Sequence, residues 1–168
     1  MKRKLPEVIT EEDVKKLIPA IKQKKYKLAV ALGFYQCMRV SEVAKLKPEH
    51  INKQLKLIMI KQAKGSKDRN IPIAPEVLPG LKHLPVGSKK AKDFGIRAIQ
   101  IFFNRITLKV LGRSLNFHLL RHSGITHYLV KKKWSSLEVQ RLAGHAKITT
   151  TEIYTHINPQ NLVDRMWE

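Results

Sequence analysis

The sequence predicts an α+β domain that is mainly α-helical and carries one small antiparallel β-sheet. Three observations lead there. The first third holds helix-starting signals and a nearly unbroken apolar run, Leu28–Met38. A single stretch, Leu55–Ile73, places two extended, Ile-rich segments on either side of a turn-forming sequence. Everything from Ile96 onward reads as helices separated by Gly, Pro and Ser signals. The 168 residues show no internal repeat and no domain boundary, so residues 1–168 are expected to form one domain with a tail helix at 159–168.

In order, Thr10-Glu-Glu-Asp starts a helix, with Thr10 as cap and the acids at the positive helix end. It is expected to reach about Lys24 with a bend at Pro19. A central, nearly all-apolar helix follows over Tyr26–Gln36, then a short one over Val40–Leu46, stopped before Pro48. The hairpin pairs Leu55–Gln62 with Arg69–Ile73 across Ala63-Lys-Gly-Ser-Lys-Asp. Pro72, Pro75, Pro79 and Pro85 punctuate the next stretch, and Gly87-Ser-Lys-Lys reads as a flexible loop. Helices are expected over Ile96–Leu111, Phe117–Lys132 and Ser136–Ala143, one or two turns over Thr149–His156, and a last helix over Gln160–Trp167 after Asn158-Pro159.

Charge restricts the partner. Lys and Arg number 33 against 13 Asp and Glu, a net charge of +20. Such an excess repels itself in a compact fold unless a polyanion neutralises it, and nucleic acid is the first candidate. A solvated Lys-rich surface and a basic membrane-surface protein are the alternatives; the latter needs a strongly amphipathic basic helix or a lipid signal, and neither is present in the sequence. A hydrophobic content of 43% argues against disorder. The single cysteine, Cys37, sits in the apolar run and reads as a buried thiol, leaving no disulfide framework. No apolar stretch follows the basic start as a signal peptide would need, and none reaches the ~18 residues of a membrane span. The expected setting is the cytoplasm.

Five short signals lie in one order: Met38-Arg39-Val-Ser-Glu42 at a helix junction, Lys64-Gly-Ser-Lys67-Asp-Arg69 at the hairpin tip, His118-Leu-Leu-Arg121-His122 opening a helix, Leu142-Ala-Gly144-His145 ending one, and Tyr154-Thr-His156. Each is weak alone. Together, over nearly the whole chain, they resemble the tyrosine recombinases and phage integrases, including the Xer-type enzymes. By position, Arg39, Lys64, His118, Arg121, His145 and Tyr154 match the family's active-site residues. One departure precedes Arg39: Tyr35-Gln-Cys-Met stands where a Gly-rich version is common. The resemblance implies that family's catalytic-domain fold and DNA strand cleavage, exchange and religation through a 3′-phosphotyrosyl intermediate. It also implies assembly as a homo-tetramer on synapsed sites from a free monomer. The N-terminal DNA-binding domain usual in the family is expected to be missing here.

The residue types suit that chemistry. Tyr154 supplies a phenol oxygen that can attack phosphorus, but with an ordinary pKa of about 10 it needs cations and a proton acceptor nearby. Arg39 and Arg121 offer paired, permanently charged donors to the non-bridging phosphate oxygens, where the transition state gathers charge. Glu42, three residues from Arg39, is expected to orient it. His118 shares a helix face with Arg121 and is expected to accept the Tyr154 proton. His145 is expected to donate to a phosphate oxygen. Lys64 is expected to protonate the leaving 5′ oxygen, with Lys67 and Arg69 as DNA backbone contacts. His122, His127 and His156 read as structural. No metal and no nucleotide cofactor is expected, since no carboxylate pair stands beside these signals and no Walker-type loop is present. A type IB topoisomerase-like activity and a non-enzymatic DNA-binding protein on the same fold are the rival readings.

Overall fold

The computed structural model describes residues 7–61, 68–144 and 159–168. Among these the chain forms α1 (Glu11–Ala20), α2 (Lys24–Tyr35), α3 (Val40–Lys45), β1 (Ile51–Asn52), β2 (Leu57–Ile60) and β3 (Arg69–Pro72). There follow α4 (Ile96–Leu111), α5 (His118–Thr126), α6 (Ser136–Ala143) and α7 (Pro159–Trp167). The fold is thus mainly helical with a small antiparallel sheet, as expected.

Thr10 caps α1: its hydroxyl accepts from the Asp13 N–H at 3.1 Å while the Asp13 carboxylate accepts from the Thr10 N–H at 3.0 Å. The expected run to Lys24 does not occur. Pro19 removes a donor from the last turn, and the Ile21 N–H turns back to the Ile18 carbonyl at 3.3 Å. The chain stays extended through Ile21, and α2 begins afresh at Lys24.

Helix α2 is the centre of the molecule. Every residue from Leu28 to Tyr35 is buried, with α1 and α5 packed against it. It ends at Tyr35, and two residues on, Cys37 with a φ of 51° turns the chain toward Arg39. The adjoining Gln36 is fully buried: its amide nitrogen donates to the Pro72 carbonyl and its amide oxygen accepts from the Ala74 N–H, both at 2.6 Å. One side chain thus completes the hydrogen bonding of the segment leaving β3 and ties the sheet to the end of α2.

The sheet has order β1-β2-β3, all antiparallel, with Ile58 paired to Ile71 and Ile60 to Arg69. Ile58, Ile60 and Ile71 face the core. Strand β1, only two residues long, is an addition to the expected hairpin. The segment expected to flex at residues 87–90 belongs to a closed turn: the Ser88 N–H donates to the Phe94 carbonyl at 3.0 Å, and Asp93 accepts from the Gly95 and Arg97 N–H groups at the start of α4.

Helix α5 stops at Thr126, short of the expected Lys132. A π-helical turn, His127–Lys131, follows and closes with Lys132 N–H on the His127 carbonyl at 3.1 Å. It points His127 and Tyr128 inward. Helix α6 starts on a Ser135–Glu138 capping box. Helix α7 docks on its own chain. Leu162 and Val163 are buried, the Trp167 indole N–H donates to the Ile73 carbonyl at 3.0 Å, the Lys56 ammonium lies 3.7 Å from the Trp167 ring centroid, and Arg165 pairs with Glu138 at 3.2 Å. Among the described residues no helix is long and apolar enough to cross a membrane.

Candidate active site

The two expected phosphate-binding arginines come from different elements that meet at α2. Arg39 occupies the N-cap of α3, directly after the turn made by Cys37. Arg121 lies in the first turns of α5 and is 2% exposed. Its Nη1 donates to the carbonyl oxygen of Cys37 at 2.5 Å, so the turn that delivers Arg39 also anchors Arg121. The second terminal nitrogen, Nη2, is buried with no hydrogen-bond partner among the described residues. A buried guanidinium with an idle donor is costly in the free protein and suits an anion that arrives later. Burial and the charge of Arg39 push the Arg121 pKa down to about 10, which leaves it cationic at neutral pH.

Close approach of α5 to α2 makes this possible. Gly124 sits one turn beyond Arg121 on the same face, and a Cβ there would strike the Phe34 carbonyl oxygen and lie 3.0 Å from the Cys37 sulfur. Only glycine lets the two backbones come so near. Burial pushes the Cys37 thiol up to about 12, so it stays protonated and inert.

Glu42 organises the other side. Its carboxylate accepts from the Arg39 N–H at 2.8 Å and from Arg39 Nη1 at 3.2 Å. It also accepts from Arg69 at 3.0 and 3.3 Å. Burial alone would raise its pKa, but the Arg69 and Arg39 donors outweigh that and hold it below the ordinary carboxylate value. Arg39 nonetheless keeps a side-chain exposure of 40% and stays partly open to solvent. A cleft beside it is lined by Ser41, Lys45, His50 and Lys61. Arg69, expected as a DNA backbone contact, is turned inward onto Glu42 with 13% exposure.

His118 opens α5 and packs edge-on against His122, ring centroids 4.4 Å apart. Partial burial of its ring and the charges of His122, Arg121 and Arg39 lower its pKa below 6.5. That shift favours the neutral ring, the form able to take up a proton. The structure thus gathers these groups so that the charges of Arg39 and Arg69 act on Glu42 and Arg121, and those of Arg39 and Arg121 act on His118. Lys64, Lys67, His145, His156 and Tyr154 lie outside the described residues. His127 is a core residue packed on Phe34 and Tyr128. Among the described residues no three His, Cys, Asp or Glu side chains are grouped so as to hold a metal ion.

Two features were absent from the sequence-level expectation: the Gln36 clasp on β3 and the Gly124 contact under Arg121. The departure Tyr35-Gln-Cys-Met was the available signal for the first. It places Cys37 at positive φ and beside it a polar side chain, Gln36, that must find buried partners.

Residues 7–161 match the model of the phage integrase family. Tyrosine recombinase XerA of Pyrococcus furiosus is 35% identical over 175 residues, covering 94% of this chain and 60% of that protein. A tyrosine recombinase of Thermosipho africanus is 30% identical, covering 98% and 62%. The chain therefore spans about three fifths of the length of these relatives. In fold it is similar to the integrase of mycobacterium phage Brujita, with a TM-score of 0.80 at 22% identity over 99% of this chain and 58% of that one. A crystal structure of XerA recombinase gives 0.72 at 24% identity, over 98% and 65%. A lambda integrase tetramer bound to a Holliday junction gives 0.64 at 20%, over 90% and 52%. With a family model matched along nearly its whole length, and its arginines and histidine brought to one site, the chain belongs to the phage integrase family, the tyrosine recombinases.

Proposed function

We propose that the chain is a recombinase catalytic domain that cleaves and rejoins double-stranded DNA. The observation that carries this reading is that Arg121, tied to the carbonyl of the turn that delivers Arg39 and three residues along α5 from His118, keeps one buried donor idle. Tyr154 attacks the scissile phosphorus, and the 5′ oxygen leaves. The phosphate stays linked to the tyrosine through its 3′ side, so the bond energy is kept and a free 5′ hydroxyl reverses the step. Arg39 and Arg121 neutralise the non-bridging oxygens in the crowded transition state. His118 takes the phenol proton, Lys64 supplies one to the leaving oxygen, and His145 adds a donor to the phosphate. Lys67 holds the adjoining backbone.

The other tyrosines support Tyr154 as the nucleophile because they are committed elsewhere. Tyr26 stacks on Phe102, centroids 4.2 Å apart. The Tyr35 hydroxyl donates to Glu11, and that of Tyr128 donates to the Tyr35 carbonyl at 2.8 Å. Burial first, then acidic neighbours for Tyr35 and the Cys37 and acidic charges for Tyr128, raises both pKa values, the reverse of what a nucleophile needs. Strand exchange requires several subunits on paired sites, and a tetramer on synapsed DNA is the assembly that fits; lambda integrase has been solved in that form on a Holliday junction.

A nicked duplex that loses a short 5′-hydroxyl fragment on cleavage tests the reading. The chain should form an SDS-resistant adduct with it in the presence of EDTA and without ATP. Absence of any adduct on every duplex tried, with DNA binding intact, would leave a DNA-binding protein without the chemistry. Recovery of exchanged strands separates a recombinase from a nicking-resealing enzyme.

A further inference from the structure

The setting of Arg69 does not suit a DNA contact. Its guanidinium spends Nη1 and Nη2 on the two oxygens of Glu42, at 3.0 and 3.3 Å, and its side chain is only 13% exposed. The remaining nitrogen, Nε, is buried without an acceptor among the described residues. The guanidinium also lies against the end of α6: a Cβ at Gly144 would come within 2.5 Å of Cζ and 2.6 Å of Nε. Gly144 has a φ of 69°, caps α6, and immediately precedes His145 in sequence. Arg69 itself opens β3, which follows the segment containing Lys64.

We propose that Arg69 is a positioning residue that frees Arg39 for the phosphate and sets the end of α6 against the same carboxylate. Glu42 is 9% exposed and ionised, so its charge must be satisfied by a cation. With Arg69 taking a two-point share of it, Arg39 gives Glu42 only its N–H and one Nη1 contact and keeps its other donors for substrate. Without Arg69, Glu42 has Arg39 as its sole partner among these groups and draws that guanidinium inward, off the phosphate. A planar fork that pairs with a carboxylate and presents a flat face to Gly144 cannot be reproduced by lysine. This inference rests on the active-site reading above.

The test uses the whole chain with Arg69→Gln, Arg69→Lys, Glu42→Gln and the double variant Arg69→Gln/Glu42→Gln. Single-turnover cleavage of the nicked substrate at saturating DNA is measured beside DNA affinity against salt and thermal unfolding. Arg69→Gln should slow cleavage at least about tenfold while affinity stays within about twofold and the salt slope is unchanged. Arg69→Lys should restore little. The double variant should cleave faster than Arg69→Gln alone, because a neutral residue 42 no longer captures Arg39; a purely structural role would make the double variant worse. Unaltered cleavage in Arg69→Gln overturns the proposal. So does weakened binding with a salt slope reduced by about one, the mark of a lost phosphate contact. Should the Gln variants unfold, Arg69→Lys decides: full cleavage by a folded Lys variant is equally contradictory. A wild-type chain that forms no adduct fails earlier, and overturns the recombinase reading itself.

Discussion

Arg39 and Arg121 have one proposed task and two different settings, and substitutions should separate task from setting. Either residue changed to Ala should lose about 3–5 kcal/mol of transition-state stabilisation, seen as several powers of ten in single-turnover cleavage. Their effects on folding should diverge. Arg121→Ala strips the Cys37 carbonyl of its donor inside the core and should cost about 1–3 kcal/mol in thermal unfolding. Arg39 is 40% exposed and Glu42 keeps Arg69, so Arg39→Ala should cost less than about 1 kcal/mol. His118 gives a second residue-level prediction. Its lowered pKa means the proton is held weakly, so the neutral base is present above that pKa and lost as pH falls through it. The kcat/KM profile should rise along an acid limb with a midpoint below 6.5 and level off by neutrality, and His118→Ala should erase the limb while slowing cleavage about 10²–10⁴-fold. An unchanged limb in the variant would assign the proton acceptor elsewhere. The ordered signals and the resemblance they carry singled out Arg39, Glu42, His118 and Arg121 in the sequence. What was hidden is partnership: nothing in the local sequence says that Arg69, 27 positions from Glu42, folds back onto it.

Among elements, α4 was legible from its helical apolar pattern and α6 from its Ser135-x-x-Glu138 box and terminal Gly144; both have the expected bounds. The misjudged ends have physical causes. Pro19 closes α1 rather than bending it, because the chain after it is needed in extended form to bury Ile21. The π-helical turn after Thr126 arises from tertiary packing of His127 and Tyr128, which periodicity does not report. Strand β1 is too short to show an alternation at all. A close seam between elements lies at Gly124. Gly124→Ala puts a methyl group into the Phe34 carbonyl and should destabilise the fold by about 1–3 kcal/mol or more, read by thermal unfolding, as α5 is levered from α2. Stability within about 0.5 kcal/mol of wild type would mean the helices part without cost and that the arginine anchor is looser than described.

For the whole molecule, the charge of +20 should appear as a steep loss of DNA affinity with salt, log K falling by about 0.9 per phosphate neutralised for each decade of salt. The tail belongs to this scale because it joins the ends of the fold. Removal of residues 160–168 uncovers the surfaces against Leu162 and Val163 and breaks the Trp167 and Arg165 contacts. At roughly 1.5–3 kcal/mol for each buried aliphatic side chain, unfolding should be easier by about 3 kcal/mol or more. A truncated chain as stable as the full one would show that α7 contributes nothing when docked on its own domain. The tail helix was legible in the sequence; its docking surface was not, since that surface is assembled from β3 and the Tyr128 region, far away along the chain.

The claim that joins these scales is that the basic, arginine-lined site exists to let one tyrosine take over a DNA phosphate. The most direct measurement is mass spectrometry of the peptide left on DNA after a trapped adduct is digested with trypsin and nuclease. A single modified peptide should appear, with phosphate on the Tyr154 oxygen joined to the 3′ end of the cleaved strand. A link through a 5′ phosphate, or through any residue other than Tyr154, would contradict it.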